Sequence, residues 1–171
     1  MGEFDFIGPA QTVKKQTTYN QKELYEYLKS WFGDRHYDVV EKDYSERITK
    51  EGNRAYAFEW WIEKKVETLT KIVMELSYKS DGEDINVTSQ DGSVKKVQKG
   101  EVSVTIRAFV YRDAEGDWKL VKSLPQKRLL RDLLDKIVKK PRLMKYEENL
   151  KRDLRAVFDD LKTYLKTHKY D

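Results

Sequence analysis

Tyr56-Ala57-Phe58-Glu59-Trp60-Trp61-Ile62-Glu63-Lys64-Lys65-Val66 is the stretch that decides the fold. Its side chains alternate. Tyr56, Phe58, Trp60, Ile62 and Val66 fall on one face, and Glu59, Trp61, Glu63 and Lys65 fall on the other. A period of two is that of a β-strand with one buried and one wet face. The same pattern recurs downstream. Ile72, Met74, Leu76 and Tyr78 oppose Lys71, Glu75 and Lys79, and Val102, Val104, Ile106, Ala108 and Val110 oppose Arg107, Phe109 and Tyr111.

The runs between these strands are short and rich in turn residues. Glu51-Gly52-Asn53 separates the first long strand from one carrying Val40, Tyr44 and Ile48, read as one face. Asp81-Gly82 reads as a strand end, followed by a minor hairpin of Ile85–Thr88 and Val94–Val97 about Asp91-Gly92. Ala114-Glu115-Gly116-Asp117 turns the chain into a last strand, Trp118–Val121. Strands joined this tightly must be antiparallel, because parallel neighbours need crossovers of about a dozen residues.

Helical spacing brackets the strands. Asn20 with Glu23 has capping-box spacing, and Leu24, Tyr27, Leu28 and Trp31 follow on one side, with Gly33 placed to end the helix. Towards the C-terminus, Pro125 opens a helix with a stripe of Leu129, Leu130, Leu133, Leu134, Ile137 and Val138. Pro141 breaks that pattern, and a second helix carries Leu143, Tyr146, Leu150, Leu154, Val157, Phe158, Leu161 and Leu165. The expectation is an α+β domain: an antiparallel meander of five to six long strands packed against an N-terminal helix and two C-terminal helices. It spans residues 20–171. Residues 1–19 read as a poorly patterned segment, with Phe4, Phe6 and Ile7 either a short edge strand before Gly8-Pro9 or a tail that docks by those side chains, and Thr12 to Thr18 as a polar connector.

Composition narrows the chemistry. Charged residues make up 37% of the 171, so the core must be built from few but large side chains; eleven Tyr, six Phe and four Trp supply them. With no cysteine, disulfides, thiolate metal sites and cysteine nucleophiles are excluded. The two histidines, His36 and His168, have no ligand spacing, and there is no G-x-S-x-G, Walker A or G-x-G-x-x-G run. No metal or cofactor is expected. The first residues have neither a basic nor a long apolar stretch, and no segment approaches the ~18 apolar residues of a membrane span, so the expected compartment is the cytoplasm.

Three functional readings follow. The first is a non-catalytic binding protein with an apolar cavity or groove between sheet and C-terminal helix, lined by Phe58, Trp60, Ile62, Met74, Leu76 and Ile106 and taking a small hydrophobic or lipid-like ligand. The second is an interaction module for an anionic partner, nucleic acid or lipid headgroup, or for a protein. It would use the basic surface of residues 119–152, where twelve Lys or Arg face four Asp or Glu; Lys127, Arg128, Arg131, Lys139, Lys140 and Arg142 are its core. The third is a cyclase- or hydrolase-type enzyme using Glu59, Glu63 or Glu75, which the sequence favours least because no base–nucleophile pair can be named. Alternating strand charges are ordinarily a solvated face with cross-strand pairs such as Glu63 or Glu75 with Lys71 or Arg107. Trp61, Phe109 and Tyr111 on that second face imply that something covers it, the chain's own helix before a ligand or partner.

The order of elements (a short strand, a helix, a run of antiparallel strands and a long C-terminal helix) resembles that of the helix-grip proteins of the START and polyketide-cyclase type. The resemblance implies a curved sheet wrapped about the last helix and an apolar cavity between them. It is carried by topology and not by a motif, so it transfers no site residues.

Overall fold

The computed structural model describes residues 2–113 and 140–167. In chain order they form β1 (Gly2–Phe6), β2 (Gln11–Tyr19), α1 (Gln21–Asp34), β3 (Asp38–Ile48), β4 (Arg54–Glu67), β5 (Thr70–Thr88), β6 (Val94–Asp113) and α2 (Lys140–Thr167). All six strands join one antiparallel sheet, ordered β1-β6-β5-β4-β3, with β2 also pairing with β6. The fold is α+β: a six-stranded sheet with an N-terminal helix and one long C-terminal helix packed on it. The other C-terminal helix expected over 125–138, and the turn and strand expected over 114–121, lie outside the described residues.

The period-two reading of β4, β5 and β6 holds. Phe58, Trp60 and Ile62 face the helices with Ile72, Met74, Leu76 and Tyr78 and with Val102, Val104 and Ile106, all at most 3% exposed. Leu24, Leu28 and Phe32 of α1 and Leu150, Leu154, Val157 and Leu161 of α2 complete this core. Polar clamps tie the helices together above it. The Trp31 indole donates to Asp160 (2.7 Å), the Tyr37 hydroxyl donates to Asp153 (2.7 Å), and the Tyr27 and Tyr164 rings stack at 4.1 Å. Burial, and then the Asp153 carboxylate, raises the Tyr37 phenol well above its ordinary value, so it stays a donor.

Four local expectations need correction. The polar connector is strand β2: Val13 and Tyr19 turn inward on a partly exposed edge, so its outward positions are polar. Phe6 pairs with Phe109 and Gln11 with Ile106, so four residues of the outer strand, including Gly8 at φ 69°, stand opposite two of β6. Asp81-Gly82 does not end a strand either. β5 runs straight through, and the supposed minor hairpin is the far end of the β5–β6 ribbon, closed at Gly92. Gly82 pairs with Gly100, and a Cβ on Gly100 would run into the Asp81 carbonyl and the Gly82 Cα; these glycines are there for close backbone approach and not for a turn.

On β3, the register shifts between Glu41 and Asp43, so Lys42 is a bulge that reverses the phase. Tyr44 and Ile48 face the helix side, opposite Phe58 and Arg54, whereas Val40 pairs with Trp61 on the outer face. Finally, Gly33 is not the left-handed residue that closes α1. His36 is, at φ 62°, with its N–H bonded to the Gly33 carbonyl and the Tyr37 N–H bonded to the Phe32 carbonyl. That is a Schellman closure, and its hydrophobic contact is Phe32 against Tyr37 at 6.1 Å.

Two substitutions test this fold through urea midpoints. Gly100→Ala should lose about 2–3 kcal/mol by forcing the β5 and β6 backbones apart. His36→Gly should gain about 0.5–1 kcal/mol by removing the left-handed cost of a side chain.

Candidate functional site

α1 crosses the helix side of the sheet from the β2 side to β3; Gln21 in its first turn reaches β5 and β6, and Tyr25 one turn on reaches β3 and β4. Between α1 and the β3–β4 edge lies an open groove of about 450 Å³ lined by Gln21, Lys22, Tyr25, Glu41, Tyr44, Glu46 and Tyr56. That volume is within the range of small-ligand sites. Gln21 and Tyr25 are one turn apart on α1 and so project together. The β3 bulge brings Tyr44 and Glu46 onto the same side as Glu41, opposite Phe58, Tyr56 and Trp60 respectively.

The aromatic walls are interlocked. Tyr25 meets Phe58, Trp60 and Tyr44 edge-on at 5.1, 5.0 and 6.3 Å, and Tyr44 lies parallel to Phe58 at 6.4 Å. Glu41 accepts from the Tyr25 hydroxyl (2.7 Å) and from the Trp60 indole (3.2 Å). Burial, reinforced by Glu41, pushes the Tyr25 phenol up to about 12, so it donates at neutral pH. Glu46 pairs with Arg54 at 2.7 Å, and Arg54 bonds Asp84 at 2.5 Å.

Gln21 is the buried member of the lining, 7% exposed. Its Oε1 accepts from the Tyr78 hydroxyl (2.7 Å) and the Ser80 hydroxyl (3.2 Å), while its N–H donates to Gln98 Oε1 (3.2 Å). Those bonds orient the amide so that Nε2 is left as a donor. Nε2 has no partner among the described residues. An unmet buried polar atom costs about 1–3 kcal/mol, so this arrangement is one that a bound acceptor would relieve.

The six residues expected to line an apolar cavity are all at most 2% exposed. Phe58 and Trp60 pack against Tyr25, and Phe58 also lies beside Tyr44, but neither is among the residues that line the groove. Ile62, Met74, Leu76 and Ile106 belong to the core under the helices. Of the basic set, Lys127, Arg128, Arg131 and Lys139 lie outside the described residues, Lys140 opens α2, and the exposed Arg142 stands 3.8 Å from Glu67.

The opposite face is a set of cross-strand pairs. Lys71 bonds Glu63 at 2.7 Å, the Trp61 indole donates to the same carboxylate at 2.8 Å, and Arg107 pairs with Glu75. Phe109 is buried there by Phe4 and Phe6 of β1 and by Trp61, at 5.3, 5.4 and 5.5 Å, so part of the cover comes from the N-terminal strand. Glu59 stands opposite Asp43 and Ser77. Among the described residues no group of three or more His, Asp or Glu could hold a metal ion, and no helix is long and apolar enough to cross a membrane. Comparison of the chain with protein-family models, curated proteins and solved structures gives no match.

The Glu63 pairing has a pH signature. Lys71 first, then Trp61, holds its carboxyl below the ordinary range. The stability it adds is complete above the unfolded-state pKa and is lost as pH falls. The wild type should therefore be more stable than Glu63→Gln at neutral pH, and the gap in urea midpoints should close below about pH 5.

Proposed function

We propose that this chain is a non-catalytic binding protein that takes a small ligand with an apolar or aromatic body in the groove between α1 and the β3–β4 edge. The observation that carries this reading is a set of three tyrosines in one concavity with Gln21, whose buried amide nitrogen has no partner among the described residues. Three tyrosine rings beside four polar or charged side chains give a concavity both apolar surface and groups that can orient a small ligand. The pairing of both N-terminal strands with the last described strand, under a long C-terminal helix, supports a helix-grip-like arrangement; that resemblance bears on shape alone. The groove sits by the first helix rather than the last, and its ligand contacts begin with Tyr25, Tyr44 and Tyr56. A cysteine-free chain suits the cytoplasm, where we place it.

Binding should be visible by NMR with a library of small aromatic and aliphatic fragments on the isotope-labelled protein. Hits are expected to shift the amides of residues 21–25, 44–46 and 56, and Tyr44→Ala should weaken them about tenfold or more, which is about 1.4 kcal/mol. Shifts confined to the other sheet face, or no shifts at all, would overturn the assignment.

A further inference from the structure

Resting on that reading of the groove, we infer that its ligand is an organic cation carrying a hydrogen-bond acceptor, such as a substituted ammonium joined to an ester or carboxylate. Two sets of groups lead there, one for each end of the ligand.

The cationic end follows from the walls. The rings of Tyr25 and Tyr44 stand 6.3 Å apart at 83°, and Tyr56 is a third tyrosine in the same lining. The face of an aromatic ring is negative and attracts a cation within about 6 Å of its centroid. The ammonium of Lys29, one turn beyond Tyr25, already stands 6.0 Å from that ring, so the protein's own cations find it. Charge points the same way. Glu41 is held by two neutral donors, the Tyr25 hydroxyl and the Trp60 indole, and forms no ion pair among the described residues. The carboxylate charge is thus fixed at the groove without a counterion from those residues. Lys22, the cation of the lining, is exposed and pairs with neither Glu41 nor Glu46. Glu41 is exposed, so a cation in the groove would gain a direct partner in it while a neutral ligand would gain nothing from it.

The acceptor end follows from Gln21. Its Oε1 is committed to Tyr78 and Ser80, so Nε2 can only give a hydrogen bond, and no described residue receives it. A carbonyl or carboxylate oxygen would receive it; a bare alkylammonium would not.

Three probes separate these features by calorimetric titration of the whole chain. Acetylcholine has the cation and the acceptor, tetramethylammonium has the cation alone, and 3,3-dimethylbutyl acetate has the shape and acceptor without the charge. Acetylcholine should bind at least about tenfold tighter than either of the others. Gln21→Glu, which keeps an oxygen for Tyr78 and Ser80 but removes the donor, should bring acetylcholine down to the level of tetramethylammonium. Glu41→Gln should weaken both cations and leave the neutral ester unchanged, and it provides a second test should Gln21→Glu not fold. Equal binding of acetylcholine and 3,3-dimethylbutyl acetate would overturn the inference and leave the groove standing as a site. The inference also fails, and the groove also stands, if none of the three binds while neutral fragments still shift the groove amides. If no compound of any class perturbs the groove, the underlying reading fails with it.

Discussion

Backbone pairing along both edges of β6 is the constraint on which the rest of the structure depends. Its twenty residues pair with β5 on one side and with β1 and β2 on the other, so the start of the chain lies beside the end of the meander. With β2 fixed there and β3 paired with β4 at the far edge, the connection must travel the width of the sheet. α1 is that connection. A helix that crosses on the inner face also covers apolar strand residues that water would otherwise meet, so topology and burial demand the same path. α2 covers the remainder, and the Trp31–Asp160 and Tyr37–Asp153 bonds set the two helices against each other.

The groove is a by-product of that crossing. α1 reaches the β3 edge where the sheet has its last strand, and there is no further described strand or helix beyond it to fill the angle. β3 accordingly leaves Tyr44 46% and Ile48 68% exposed. An exposed edge of this length invites pairing with other chains, and β3 carries the usual protections: a bulge at Lys42 and charges at most of its positions. The bulge does a second thing. By reversing the phase of the strand it puts Glu41, Tyr44 and Glu46 on one side, so an edge-protection device also assembles the carboxylate and the ring that face α1.

The strands buried on their inner face were legible in the sequence because their alternation is set by the core they build: residues 56–62, 72–78 and 102–110 could not be shifted by one without exposing every apolar side chain. Edge strands lack that discipline. Gln11–Tyr19 buries little of its inner side until Thr17, so its polar residues read as a connector. Glycine misled twice for opposite reasons. Gly82 looked like a turn but serves close approach to Gly100, while Gly33 looked like a helix stop but leaves the left-handed role to His36. The groove was the least legible part. Its residues come from α1, β3 and β4, and only the register of a bulged strand places Glu41 beneath Tyr25 and Trp60. Phe58 and Trp60 stood out by size, but both are buried core residues packed against Tyr25, and the rings that line the groove are Tyr25, Tyr44 and Tyr56.

The most direct test of the groove as the binding site is a crystal structure of the wild-type chain with acetylcholine. The account predicts the trimethylammonium group between the Tyr25 and Tyr44 rings, within about 6 Å of both centroids. It also predicts the ester carbonyl within hydrogen-bond distance of Gln21 Nε2. Ligand seated on the outer face by Trp61, or a groove holding only solvent beside an unmet Gln21 amide, would contradict it.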